Sequence, residues 1–266
     1  MAELIIGLGP IGAAVGQRLL DRGREVIGFE LDTDRADAWA AETGAPTASD
    51  PDIVDWAGVD AVHVAVRLAN QLEQVFTMLR DRLDGEVAIV VLTTLAPSDA
   101  DRILAAQHAP WRVFEAPLSG GPQGALDGSM TLMLAGPEPN DADRSRFADM
   151  SGKQFWTSKY GQPALLKLLN NTLGAYNALA TAAMLEMAVE RGVDAQQFLD
   201  VVNVSSGQSW MSTNFDNFHY PLLFKDAGLL IGDVGEVPSV KLGDLPAHEA
   251  VIERARLVAF GALGSA

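Results

Sequence analysis

Three groups of residues have types and spacings suited to chemistry. The first is Lys167, one amine among Leu165, Leu166, Leu168 and Leu169 in the run GQPALLKLLNN. Asn171 stands four residues on, a step that puts it on the same face of a helix. An amine in dry surroundings, or beside other cations, is less firmly protonated and can take and return a proton near neutral pH. The four leucines are expected to supply a dry wall. The second group is Ser119-Gly120-Gly121, within EAPLSGGPQGA from Glu115 to Ala125. At a strand end it presents a hydroxyl and free backbone N–H groups, and without Cβ atoms at 120 and 121 a carboxylate could enter a backbone nest. A flexible glycine turn fits the same residues. The third group is Gly7-Leu8-Gly9-Pro10-Ile11-Gly12.

That third run closes a strand-like LIIG and opens a helix-like PIGAAVGQRLL, the context that gives a GxGxxG its meaning. Gly7 suits the tight turn, Gly9 the approach of a pyrophosphate, and Gly12 close packing of helix on strand, with the helix N-terminus toward the phosphates. Glu30 follows at the end of the next strand-like run, REVIGFE, where a dinucleotide fold places an acid on the adenosine ribose hydroxyls. A 2′-phosphate there would meet repulsion on the order of a few kcal/mol. Leu31 and Asp32 come next, and Arg35 is the nearest cation able to offset it. NAD is therefore the expected cofactor, with NADP less favoured.

The elements that must carry these groups are legible in outline. Strand-like runs at Glu3–Ile6, Glu25–Glu30, Asp60–Val66, Glu86–Thr93, Trp111–Glu115, Met130–Ala135 and Lys153–Thr157 alternate with helix-like stretches such as Pro10–Asp21, Arg67–Arg82 and Pro97–Gln107. The alternation predicts βαβ units around a mostly parallel, doubly wound sheet. From Pro163 to Arg191 only Gly174 interrupts the helix formers, which predicts one helix roughly 40 Å long. Ala195–Val204 and Pro246–Phe260 also read as helices. The fold class is thus α/β, a Rossmann-type domain over 1–160 followed by an all-α domain over 161–266 built on the long helix.

Composition narrows the chemistry. The 266 residues carry 35 acids against 19 bases, a net charge of −16, and 48% are hydrophobic. That balance opposes nucleic-acid binding. No apolar run reaches the roughly 18 residues of a membrane span, and MAELIIG has no basic leader region, so the expected location is the cytoplasm. With no cysteine there is no disulfide, thiol catalysis or thiolate-held zinc. None of Tyr160, Tyr176 and Tyr220 has a lysine four residues on, which excludes a Tyr-x-x-x-Lys dehydrogenase. His63, His108, His219 and His248 are scattered without metal-ligand spacing and read as surface or capping residues; no metal site is expected. Lysine remains as the acid/base. The chain favours arginine, 14 of its 19 bases, and has no lysine before Lys153. No charge lies between Lys167 and Glu186 along the polar stripe of Lys167, Asn170, Asn171, Gly174, Asn177 and Thr181, as befits a face turned toward a cleft rather than water.

The order GLGPIG, EAPLSGGPQGALDGSMT, GQPALLKLLNN, NVSSGQSW (Asn203–Trp210) and FKDAG (Phe224–Gly228) resembles the β-hydroxyacid dehydrogenases, the group of 3-hydroxyisobutyrate dehydrogenase and, more distantly, 6-phosphogluconate dehydrogenase. The resemblance runs from residue 4 to about 228. It implies an NAD(P)-dependent interconversion of a small 3-hydroxy acid and its semialdehyde, a small carboxylate as substrate, Lys167 as the catalytic group and Asn171 beside it on the substrate. It also implies Ser119, Gly120 and Gly121 on the substrate carboxylate, and Lys225 near substrate and nicotinamide with Asp226 in support. Thr94 matches a hydroxyl near the nicotinamide ribose, and Val66 and Arg67 lie at the cofactor edge. Four departures stand out. Val91 replaces an acid, Thr93 a serine, and Val66-Arg67-Leu68 a Met-Leu-Pro run; the helical tail after FKDAG is short. An imine reductase, which usually carries Asp or Tyr in place of Lys167, and a non-catalytic NAD-binding protein are the competing readings. A long apolar helix with little chain left to cover it implies a homodimer or homotetramer.

Overall fold

The computed structural model describes residues 2–107, 110–239 and 245–260. It opens with β1 (Ala2–Ile6), α1 (Pro10–Asp21), β2 (Val26–Phe29), α2 (Thr33–Thr43), β3 (Thr47–Ala48), β4 (Val59–Val64), α3 (Ala69–Arg80), β5 (Ala88–Val91), α4 (Pro97–Ala105) and β6 (Arg112–Glu115). The six strands form one parallel sheet in the order β3-β2-β1-β4-β5-β6. The strand order reverses between β1 and β4, the place where open α/β sheets leave a crevice beyond the strands' C-terminal ends. Ile6 pairs with Phe29 and Val64, and Val91 with Val64 and Glu115. Gly7, Glu30, Ala65 and Leu92 therefore leave the sheet along one rim.

Alternation along the strands divides the core in two. Leu4, Ile6, Val62, Val64, Ile89 and Val91 face α3 and α4 through Leu72, Phe76, Leu79 and Ile103. Ile5, Ala61, Ala88 and Val90 face α1 through Val15 and Leu19, together with Trp39 of α2. Both faces are covered, which is why β5 is apolar throughout.

A second, three-stranded sheet follows. It contains β7 (Leu118–Ser119), β8 (Thr131–Leu134) and β9 (Lys153–Trp156), separated by α5 (Gly121–Asp127) and α6 (Asp141–Met150). β7 runs antiparallel to β8, and β8 parallel to β9. An antiparallel bridge between Glu115 and Ala135 links it to the end of β6. The strand pattern of the sequence locates β8 and β9 but does not separate them from the main sheet, because β7 is only two residues long.

The remaining elements are α7 (Gln162–Glu190), α8 (Ala195–Asn203), α9 (Trp210–Thr213), α10 (Tyr220–Val234) and α11 (Leu245–Phe260). One compact unit reaches Asp233 and a second begins at Val234. Residues 240–244 lie outside the described residues, as does His108. Gly174 has a packing role in α7: a Cβ there would lie 2.8 Å from Cε of Met211 on α9. His63 corrects the expectation of surface histidines. It is fully buried in β4, with Nε2 2.6 Å from the Glu3 carboxylate on β1. Arg146 from α6 and Arg24 close the same ion network on Glu3. No helix among the described residues is long and apolar enough to cross a membrane.

Candidate active site

The glycine turn follows from local sterics. α1 starts at Pro10 with Gly9 as its N-cap and no side-chain cap, so its first N–H groups have no side-chain acceptor. A Cβ on Gly7 would lie 2.8 Å from the Ala65 carbonyl, and one on Gly12 would strike the Gly7 carbonyl; on Gly9 it would enter open space. Gly7 and Gly12 thus hold strand, turn and helix tightly together, and Gly9 leaves the helix N-terminus open to an anion. Leu8 is buried and Ile11 packs on the core beside it. These features fit the diphosphate of a dinucleotide.

Glu30 sits beside this turn. Its carboxylate accepts from the N–H groups of Leu8 (3.0 Å) and Asp32 (3.1 Å). Arg35 pairs with Glu30 at 3.1 Å and with Asp32 at 3.2 Å. The cation that the sequence offered as a possible offset is therefore in place, in the first turn of α2. Repulsion of a 2′-phosphate by Glu30 is correspondingly weakened.

At the next rim position Val66 is half-buried against the core. Arg67 is exposed; its N–H and that of Leu68 donate to the Gln71 side chain, which starts α3. After β5, Thr93 is buried with its hydroxyl 3.4 Å from the Val64 carbonyl, while Thr94 is half-buried.

The lysine cluster joins two helices. Lys167 is 9% exposed on α7, and its Nζ donates to Asn171 Oδ1 at 3.1 Å. Asn171 Nδ2 donates to Asp226 Oδ2 on α10 at 2.6 Å. Lys225 Nζ lies 3.4 Å from Asp226 Oδ1, its own side chain 42% exposed. Burial pushes the Lys167 ammonium pKa below its ordinary value; the Asp226 charge opposes this and Lys225 adds to it.

The leucine wall forms only in part. Leu168 is buried, but Leu166 and Leu169 are exposed at 43% and 48%. At 100° per residue Leu166 and Leu169 turn to the outer face, and the buried side of the helix runs through Ala164, Lys167, Leu168, Asn171, Ala175 and Ala178. The expected polar stripe is narrower too: Asn170 is exposed, and Asn177 and Thr181 are half-buried.

Ser119 ends β7, Gly120 caps α5 and Gly121 is its first residue. A Cβ at Gly120 would come within 3.1 Å of the Met130 backbone, whereas Gly121 faces open space. The segment is thus a strand-to-helix turn rather than a free loop. Hydrogen bonds and ion pairs unite Lys167, Asn171, Asp226 and Lys225, and separately Leu8, Glu30 and Arg35. Among the described residues none links Ser119–Gly121, Arg67 or Thr94 to either group. The buried Glu115 carboxylate, at the end of β6, reaches the N-terminus of α7. A lone acid ending an apolar strand was the one signal that could have pointed to it.

Residues 4–156 match the family described as the NAD binding domain of 6-phosphogluconate dehydrogenase, and residues 161–234 the one described as the NAD-binding of NADP-dependent 3-hydroxyisobutyrate dehydrogenase. The chain belongs to the β-hydroxyacid dehydrogenase family. This β-hydroxyacid dehydrogenase is an NAD(P)-dependent oxidoreductase of CH–OH groups, with a Rossmann sheet followed by a helical domain. It is 29% identical to L-threonate dehydrogenase of Cupriavidus necator over 79% of this chain and 72% of that one. It is 29% identical to the NAD-dependent L-serine dehydrogenase of Pseudomonas aeruginosa over 77% and 70%. The fold is that of 3-hydroxyisobutyrate dehydrogenase from Mycobacterium tuberculosis solved with L-serine, at a TM-score of 0.76 and 22% identity over 97% and 94% of the two chains.

Proposed function

We propose that this enzyme oxidises a small 3-hydroxy acid to its semialdehyde, or reduces the semialdehyde, with Lys167 as acid/base. The reading is carried by the Lys167 amine, buried, hydrogen-bonded to Asn171 and with its ammonium pKa lowered by that burial. The nicotinamide, when bound, supplies the hydride acceptor. Gly7 through Gly12 and Glu30 would hold the dinucleotide's diphosphate and ribose, with Val66, Arg67 and Thr94 along the rim. NAD is the proposed cofactor.

The neutral Lys167 amine takes the proton of the substrate hydroxyl in oxidation and returns it in reduction, a contribution of about 10²–10⁴-fold for a well-placed group. Asn171 holds that amine and the same substrate oxygen, and Asp226 fixes the Asn171 amide in the orientation that leaves Oδ1 toward Lys167. Ser119, Gly120 and Gly121 hold the carboxylate through the hydroxyl and the uncapped N–H groups at the start of α5, and Lys225 adds positive charge. The named relatives act on L-threonate and L-serine, and L-serine carries both a carboxylate and a 3-hydroxyl.

The two-domain division at residue 160, a cytoplasmic location and a dimeric or tetrameric assembly belong to the same proposal. Assembly is supported by the exposed Leu169, Leu173, Met184 and Met187 of α7, and light scattering at micromolar concentration tests it. The activity is tested by absorbance at 340 nm with NAD or NADP against L-serine, 3-hydroxyisobutyrate, 3-hydroxypropionate, glycerate and L-threonate. Reduced cofactor on at least one substrate is expected; tight cofactor binding with silence on all five would favour a non-catalytic protein.

A further inference from the structure

The start of α7 is built without any capping side chain of its own. Its N-cap is Gly161 and the third helical residue is Ala164. In a capping box those two positions exchange hydrogen bonds, each side chain accepting from the other's N–H. Here neither has an acceptor. Glu115, 46 residues earlier in the chain from Gly161, supplies both: Oε2 accepts from Gly161 N–H at 2.7 Å and Oε1 from Ala164 N–H at 2.8 Å. Gly161 is fitted to this contact. Its φ of +80° is a left-handed conformation, and a Cβ would lie 2.7 Å from the Pro97 carbonyl. Next to it, the Tyr160 hydroxyl donates to the Val113 carbonyl of β6 at 2.9 Å. The helix start is thereby fixed to the end of one strand, and Lys167 lies three residues beyond Ala164, less than one turn on.

We propose that Glu115 is a positioning residue: as a carboxylate it holds the first turn of α7 against the sheet and so sets where the Lys167 amine stands. This inference rests on the proposed role of Lys167. It also implies a control by pH. Glu115 is 1% exposed, and burial raises its pKa from 4.5 to about 7; the two backbone donors pull it down, and Asp101 on α4 pushes it up. Tyr160, ahead of α7, is the other titratable group beside it. Among the described residues no cation is paired with it. Protonation turns two charge-assisted hydrogen bonds into neutral ones of about half the strength, so the clamp loosens as pH falls through about 7.

The chain has only five lysines, which makes a direct test practical. In the full-length protein labelled with ¹⁵N and with ¹³Cε-lysine, the Gly161 and Ala164 amide signals and the Lys167 ¹³Cε signal, assigned with Lys167→Arg, are followed from pH 5 to 9. All three should move together with a midpoint near 7 in the wild type, and that midpoint should vanish in Glu115→Gln. A Lys167 signal that ignores the amide transition would reduce Glu115 to a structural cap and overturn the proposal, as would amides with no transition. Thermal melts of Glu115→Gln and Glu115→Asp establish that the variants fold. With L-serine and NAD at pH 8, Glu115→Gln should lower kcat by about tenfold to a hundredfold with KM little changed, and Glu115→Asp should recover part of it. Silence of the wild type on every hydroxy acid would sink the proposed activity, while the resonance titration would still decide the role of Glu115.

Discussion

The Glu115 clamp has a thermodynamic signature that does not depend on turnover. The carboxyl has a pKa of about 7 in the folded chain against 4.5 in the unfolded one. Between those values the folded protein holds the proton more tightly than the unfolded one. Its contribution to stability is therefore full below about 4.5 and is lost as pH rises to about 7. A difference of about 2.5 units at 1.36 kcal/mol per unit gives about 3 kcal/mol, the cost of keeping the ionised group buried. Glu115→Gln keeps the shape and removes the titration, so wild type and variant should not respond to pH in parallel. From pH 5 to 8 the wild type should lose about 2–3 kcal/mol relative to the variant. At a urea slope of about 2–3 kcal/mol/M that moves the difference between their unfolding midpoints by about 1 M. Other titrating groups are common to both proteins and cancel. Midpoints that run parallel across this range would refute the reasoning, because the carboxyl would then be ionising as it does in water.

Arg35→Ala leaves Glu30 unopposed beside the ribose site. Binding of NADP should weaken relative to NAD by roughly fivefold, the value of about 1 kcal/mol for a half-exposed pair; unchanged selectivity in fluorescence titrations would place the 2′-position elsewhere. Gly12→Ala drives a methyl into the Gly7 carbonyl and should cost about 1–3 kcal/mol, seen as a lower melting temperature and lost NAD binding; a wild-type melt would contradict the packing. Asp226→Asn removes the charge that raises the Lys167 pKa. The limb of kcat/KM that rises with pH as Lys167 loses its proton should move to lower pH. A limb moving upward would mean that Lys167 does not titrate there.

What the sequence made legible was what local pattern encodes. The apolar runs of β1, β4 and β5, the GLGPIG turn opening α1, and the uncharged stretch after Lys167 all follow from period, glycine placement and composition. α10 was harder, because Gly228 and Gly232 interrupt YPLLFKDAGLLIGDV and the residues that matter, Lys225 and Asp226, come from a resemblance rather than a period. The misjudged leucines show the limit of adjacency. Leu166 and Leu169 flank Lys167 in sequence but face away from it, and the amine is buried on the face it shares with Leu168 and Asn171. His63 with Glu3 and the Glu115 carboxylate with the Gly161 N–H are pairings chosen by tertiary approach. His63 and Glu3 lie 60 residues apart, and no spacing rule joins them.

The central claim is that Lys167 moves the hydroxyl proton. Lys167→Ala should bind NAD with the affinity of the wild type while its kcat at 340 nm, on whichever hydroxy acid the wild type turns over, falls by about 10²-fold or more. A variant turning over within tenfold of the wild type would contradict it.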